Sequence, residues 1–202
     1  VRASEAIFGL RPWTGLVGNH LDTATGVWTA TAAGVGALTD SYVEYLLKGY
    51  ILTSHPPLLH AFRATYRSIA KYLSHPPALL DAIMFTGAPS SVIQSSLAAY
   101  FPGLQLLGGE ALPALVALRA IAAAFRKAGC LPEGYHVLME RPAAGAAFIA
   151  PVRGPPAPVL SFPDATLLVW PLCNRGRLSK QKSRQAGIPS WFYSSLAVVV
   201  CP

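Results

Sequence analysis

The stretch Thr39-Asp40-Ser41-Tyr42-Val43-Glu44-Tyr45-Leu46-Leu47-Lys48 decides how the rest of the chain is read. An acid stands at its head and apolar residues follow, with Glu44 and Lys48 spaced i and i+4. That is the pattern of a helix whose first turn carries an N-capping Asp40. The Glu44–Lys48 pair would support an exposed face. The helix should run to about Thr53, because His55-Pro56-Pro57 cannot continue it. Taken alone, Asp40 reads as an ordinary cap, accepting hydrogen bonds from the first free backbone N–H groups.

Outward from this helix, short elements alternate. Residues 1–10 look like the end of a helix cut off at Arg11-Pro12. Residues 15–30 alternate in polarity around Asp22-Thr23-Ala24-Thr25-Gly26, which predicts a β-hairpin. Gly34 to Ala37 then leads into the Asp40 helix. Leu58, Phe62, Tyr66, Ile69 and Leu73 recur at helical spacing up to His75-Pro76-Pro77. A strand-like segment is expected over Ala78–Phe85, turned by Thr86-Gly87. A helix over Ser91–Tyr100 should end at Pro102-Gly103, and a long Ala/Leu helix over Ala111–Ala128 at Gly129. Helices joined by hairpins and turns make an all-α class. The absence of a βαβ rhythm argues against a parallel sheet, and the lack of a fixed period argues against a solenoid.

The chain has 202 residues, enough for one sizeable core. It is 52% hydrophobic and only 12% charged, about half the charge of an average soluble domain. Such a balance suggests apolar faces that expect partners. The net charge is +7, and residues 154–202 hold five of the 16 basic side chains with one of the nine acids. No stripe of Lys or Arg interleaved with aromatics accompanies that excess, so a nucleic-acid partner is not expected. Cys130, Cys173 and Cys201 lack metal spacing. No uncharged apolar run of about 18 residues is long enough to span a bilayer. Neither a basic leader nor an apolar signal core opens the chain at Val1.

Three ordered stretches carry a resemblance. The first is Gly15-Leu16-Val17-Gly18-Asn19-His20-Leu21-Asp22, then Thr25-Gly26-Val27-Trp28, then Gly34-Val35-Gly36-Ala37 leading into Asp40-Ser41-Tyr42. The second is Ala99-Tyr100-Phe101-Pro102-Gly103-Leu104-Gln105, and the third is Gly129-Cys130-Leu131-Pro132-Glu133. Together, over roughly residues 6 to 140, they resemble glycoside hydrolase family 47, the class I alpha-1,2-mannosidases. Within it they are most similar to the ER degradation-enhancing alpha-mannosidase-like proteins. The resemblance implies an (α/α)7 barrel of two concentric helix rings plugged by hairpins. Residues 1–153 would be a part of that catalytic domain.

Hydrolysis of a glycosidic bond needs two carboxyl groups flanking it, set apart in an inverting enzyme to admit a water. By resemblance, Asp40 matches the family's catalytic Asp and would position or activate that water. Glu133 matches the acid of the Leu-Pro-Glu turn and is a proton-donor candidate, although a Glu after Pro132 is also an ordinary surface turn residue. Glu44 would contact sugar or tune Asp40, or simply pair with Lys48. Asn19 and His20 would sit at a hairpin near the barrel mouth, as sugar contacts or as structural hydrogen-bonding residues. Trp28 and Phe101 read better as core anchors than as sugar platforms.

The resemblance also implies calcium gripping the sugar hydroxyls, N-glycans of misfolded glycoproteins as substrate, an ER oxidoreductase or chaperone as partner, and the ER lumen as the address. Departures accompany these matches. Leu38 stands where the family places a small residue, and the expected Leu-Arg-Pro-Glu becomes Pro151-Val152-Arg153-Gly154. The family's first catalytic Glu and its calcium-binding Thr find no match. Hydrolysis by this chain alone is therefore not expected, and a non-catalytic mannose-binding or chaperone-associated module is the alternative. Residues 154–202, with seven prolines, read as an irregular tail foreign to the family fold. A retained intron or a shifted frame would give such a tail.

Overall fold

The structure is a computed structural model. It describes residues 2–36, 39–128, 131–145, 148–149, 159–162, 165–172 and 195–200. Helix α1 (Arg2–Gly9) comes first, followed by the hairpin of β1 (His20–Leu21) and β2 (Trp28–Ala30). Asp22 closes the hairpin: its carboxylate accepts from the Ala24 N–H and the Thr25 hydroxyl, and Gly26 supplies the positive φ of 70°. A two-residue strand, β3 (Ala32–Ala33), leads towards helix α2 (Asp40–Thr53).

Helix α2 begins and ends where the sequence places it, but its cap differs. The N-cap is Thr39 and Asp40 is the first helical residue. The Thr39 hydroxyl donates back to the Gly34 carbonyl at 2.6 Å, and the Asp40 N–H donates to the Gly36 carbonyl at 3.1 Å. At the far end Ser54 turns left-handed with φ 53°, its N–H donating to Tyr50. The prolines then play a second part: Pro56 and Pro57 occupy the first turn of α3 (Pro56–Tyr72), where a missing N–H costs nothing. Helix α3 buries Leu58, Ala61, Phe62, Thr65 and Ile69 against α2 and the core.

Two expected elements come out differently. Ala78–Phe85 is not one strand. β4 (Ser74–His75) pairs with β5 (Ala78–Leu79), and β6 (Ala82–Ile83) pairs with β3. Leu80 and Asp81 carry the chain from one partner to the other. Ser91–Tyr100 is not a regular helix either. It divides into β7 (Ile93–Ser95) and a 3₁₀ helix over Ser96–Tyr100, because the Ser95 hydroxyl accepts from the Leu97 N–H and starts a tight turn. Pro102 does not end a helix but sits in the first turn of α4 (Phe101–Leu107).

Helix α5 (Ala111–Ala128) has the predicted bounds. Beyond it come β8 (Leu131–Pro132), β9 (Gly134–His136), β10 (Arg141–Pro142) and β11 (Phe148–Ile149). β9 lies between β7 and β10. The described part of the tail is strand rather than irregular chain. β12 (Val159–Phe162), β13 (Ala165–Leu172) and β14 (Ser195–Val200) make a three-stranded sheet in the order β12-β13-β14. Runs such as Leu167-Leu168-Val169 and Val198-Val199-Val200 suit strands, which a search for helical period passes over.

Among the described residues the fold is therefore helical with short antiparallel strands, five α-helices in all. One core joins Leu16, Val43, Leu46, Phe62, Met84 and Phe101. Phe62, Tyr66 and Phe101 stack in series at 5.9 and 6.0 Å. No helix is long and apolar enough to cross a membrane among the described residues.

Candidate active site

Asp40 and Glu44 lie one turn apart near the start of α2. The Asp40 carboxylate takes its own neighbour's N–H, from Ser41 to Oδ1 at 2.6 Å. Its second oxygen makes no hydrogen bond among the described residues. Glu44 is 4% exposed, so the Glu44–Lys48 pair is buried rather than the surface pair its spacing suggests. Lys48 Nζ donates to Glu44 Oε1 at 2.5 Å, with the ammonium itself largely covered. A buried carboxylate needs such a partner, since the charge loses its water.

The 3₁₀ helix Ser96–Tyr100 packs across this corner. A Cβ placed on Gly36 would come within 3.0 Å of Ser95 Cβ and 3.8 Å of the Ala98 nitrogen. The backbone that receives the Asp40 N–H thus lies directly on the start of the turn. At its other end Tyr100 is 6% exposed and its hydroxyl has no hydrogen-bond partner. Burial pushes the phenol upward, and the charges of Asp40 and Glu44 push it further. The same turn holds the third stretch singled out in the sequence, because the Ser96 N–H donates to the Glu133 carbonyl at 2.8 Å. Glu133 is an exposed residue of the turn between β8 and β9. One short helix therefore touches both the Asp40 corner and the Glu133 turn.

Asn19 and His20 are placed elsewhere. The Asn19 N–H donates to the Ala30 carbonyl at 3.1 Å, while its side-chain oxygen is buried without a partner. His20 is exposed at the start of β1. No described hydrogen bond joins either to Asp40. Trp28 packs against the core and donates its indole N–H to the Leu10 carbonyl at 2.8 Å, and Phe101 is fully buried. Both are anchors, as expected. Leu38 and Cys130 lie outside the described residues.

Two features were not read from the sequence. Asp81 is half-buried against Gly34, with its carboxyl raised by burial. A cleft of about 270 Å³ opens on the far side of the 3₁₀ helix, between Ser95, Ser96, Ile121, Pro132 and Tyr135, with the Lys127–Glu140 pair at 2.8 Å on its rim. No spacing rule finds either one, because each is assembled from segments distant in the chain.

Residues 3–147 match the model of glycosyl hydrolase family 47. The chain belongs to glycosyl hydrolase family 47. Family 47 relatives include alpha-mannosidase I MNS4 of Arabidopsis thaliana, 38% identical over 138 residues, which are 67% of this chain and 22% of the relative. ER degradation-enhancing alpha-mannosidase-like protein 2 of Homo sapiens is 40% identical over 123 residues, 61% of this chain and 21% of that protein. The corresponding protein 3 of Xenopus laevis is 40% identical over 121 residues, or 59% and 13%. The chain thus spans a quarter or less of the length of these family 47 relatives.

Calcium suits hard oxygen donors, six to eight of them. Among the described residues no three acidic, histidine or cysteine side chains gather as a metal cage. Asp40 and Glu44 are two acids, and Glu44 is already held by Lys48. The described part does not fit the ion, and no step is routed through it.

Proposed function

We propose that this chain is the Asp40-bearing part of an alpha-mannosidase that removes alpha-1,2-linked mannose from N-glycans of misfolded glycoproteins in the endoplasmic reticulum. The observation that carries the reading is Asp40 itself. It is the first residue of α2, with one carboxylate oxygen uncommitted, in a chain of family 47. A carboxylate oxygen left free at a helix N-terminus is placed to accept a hydrogen bond from an attacking water and to receive its proton. Inversion would follow from a second carboxyl group across the scissile bond, about 6.5–9.5 Å away. Glu133 is the donor candidate, facing solvent from a turn whose backbone is tied to the same 3₁₀ helix.

The names of the relatives support the compartment and the class of substrate. The (α/α)7 barrel, the calcium that grips sugar hydroxyls and a lumenal oxidoreductase or chaperone partner belong to this proposal, with the calcium donors placed outside the described residues.

In the described residues no contact brings the Glu133 carboxylate to Asp40. The chain alone should therefore hold a mannose disaccharide without cutting it. Calorimetric titration with alpha-1,2-mannobiose in calcium buffer tests this, with free mannose assayed in parallel. The expected result is measurable binding, at least about tenfold weaker in Asp40→Asn, and no mannose released. Binding that is absent from the folded chain, or indifferent to Asp40→Asn, overturns the assignment of Asp40. Release of mannose would show that the acid and base pair is complete within these residues.

A further inference from the structure

Helix α3 shows solvent a face of one charge sign. Arg63, Arg67 and Lys71 are exposed and recur at i, i+4 and i+8, so they form a row along that face. The helix carries no acid, and no ion pair among the described residues uses any of these cations. Glu5, the acid of the neighbouring α1, is held by His55 at 3.0 Å. A merely solvated helix face usually mixes both signs at this spacing, each cation answered by an acid. Here the answering acids are missing.

The row ends on two aromatic rings. Lys71 Nζ lies 4.8 Å from the centre of the Tyr72 ring, and that ring meets Trp13 edge to face at 6.2 Å. Trp13 is 76% exposed, yet its backbone is fixed. It occupies the Pro12–Gly15 turn, in which the Gly15 N–H donates to the Pro12 carbonyl at 2.9 Å. Arg11 donates to the Phe8 and Gly15 carbonyls on either side, at 2.9 and 3.2 Å, and the Thr14 hydroxyl donates to the Met84 carbonyl. A well-anchored turn thus holds a large apolar ring out in water.

We propose that Arg63, Arg67 and Lys71, with Tyr72 and Trp13 at their end, form a docking surface for an extended acidic segment of a partner protein. The spacing sets the form of that segment. Four residues of helix rise about 6 Å, and alternate side chains on one face of an extended chain stand about 6.6–6.8 Å apart. Glu or Asp at every second position therefore meets successive cations. An apolar residue beyond the last acid reaches the rings, where a rigid Trp gives contact area at little entropic cost. Other occupants fit less well. A partner helix would need an apolar seam, and no large apolar side chain of α3 is exposed. A lipid surface needs an apolar face turned towards it, and α3 commits Leu58, Phe62 and Ile69 to the core.

The surface is independent of the sugar chemistry proposed for Asp40. Fluorescence anisotropy of the whole chain tests it, with a labelled peptide of three Glu alternating with Ser and ending in Phe as the probe. Affinity should fall at least about tenfold in Arg63→Gln/Arg67→Gln/Lys71→Gln. Helical circular dichroism should stay unchanged, since Gln suits an exposed helix position. Arg2→Gln/Arg119→Gln/Arg126→Gln removes the same net charge from exposed positions elsewhere, and should weaken binding less than about twofold. Leaving out the Phe should cost the parent chain about fivefold and the Trp13→Ala chain nothing. No binding by the folded parent, or equal losses in the two charge variants, overturns the surface. A Phe effect that persists in Trp13→Ala overturns its aromatic end. Capture of the chain by phosphatidylserine vesicles, lost in the α3 variant, would give the row to lipid and overturn the peptide. None of these readouts involves sugar, so their failure leaves the Asp40 assignment standing.

Discussion

Asp81 is a carboxylate in the wrong surroundings. It is half-buried where the chain crosses from β5 to β6, and a Cβ on Gly34 would lie 2.2 Å from its Oδ1. Burial raises its carboxyl above the ordinary 3.8, and no opposite charge offsets that. The folded chain therefore holds this proton more tightly than the unfolded chain. The favourable term is complete below the unfolded value of about pH 3.8 and is lost as pH rises through the raised folded midpoint. At neutral pH the ionised carboxylate opposes folding. Asp81→Asn should stabilise the chain at pH 7, because it removes the ionised carboxylate that burial disfavours. The gain should vanish below pH 4. Urea unfolding across that range checks both statements, and a pH-independent difference would mean that the side chain's shape matters rather than its charge. Glu44 shows the contrary solution, since Lys48 meets its buried carboxylate directly.

The hairpin of β1 and β2 shows how an element depends on one missing side chain. A Cβ on Gly18 would lie 2.5 Å from the Ala30 carbonyl and 2.8 Å from Met84 Sδ. The neighbouring Asn19 N–H uses that same carbonyl. Backbone cannot retreat from such a contact without losing the ladder. Gly18→Ala should cost about 1–3 kcal/mol, while Gly9→Ala, with nothing within 4 Å, should be neutral or slightly stabilising. Thermal unfolding of the two variants separates the steric effect from a general glycine effect. Legibility follows the range of the signal. Helices α2, α3 and α5 were readable because period, cap and breaker all lie within one element, and the Asp22–Gly26 turn because its hydrogen bonds are local. The prolines misled at Pro102, because a proline that cannot continue one helix is equally suited to begin the next. Ala78–Phe85 misled because its apolar run is continuous while its partners change. In the site, Asp40 and Glu44 were readable from one helix. Tyr100 was not, because it reaches that helix only through the fold.

At the scale of the molecule, the low charge of the sequence reappears as uncovered apolar surface. Helix α5 buries Ala114, Ala117, Leu118, Ile121 and Ala122 on one side. Beside that stripe Leu112 is 78% exposed, with Val116 and Leu115 next to it at helical spacing. Three aliphatic side chains in a row on a long helix exceed the scattered apolar residues that every surface carries. Water excluded between two such faces favours association whatever the partner is, and the net charge of +7 opposes it only weakly at physiological salt. The chain should therefore self-associate reversibly as its concentration rises. Replacing Leu112 and Val116 together by Gln and Lys should weaken that association at least about tenfold, equivalent to about 1.4 kcal/mol. Helical circular dichroism should stay unchanged, because neither side chain belongs to the buried stripe. Sedimentation velocity over a concentration series reads the result. A monomeric parent at every concentration would mean that this face is too small to drive contact, and an unaltered association in the double variant would place the contact on another face, such as Ile51 and Leu52 at the end of α2.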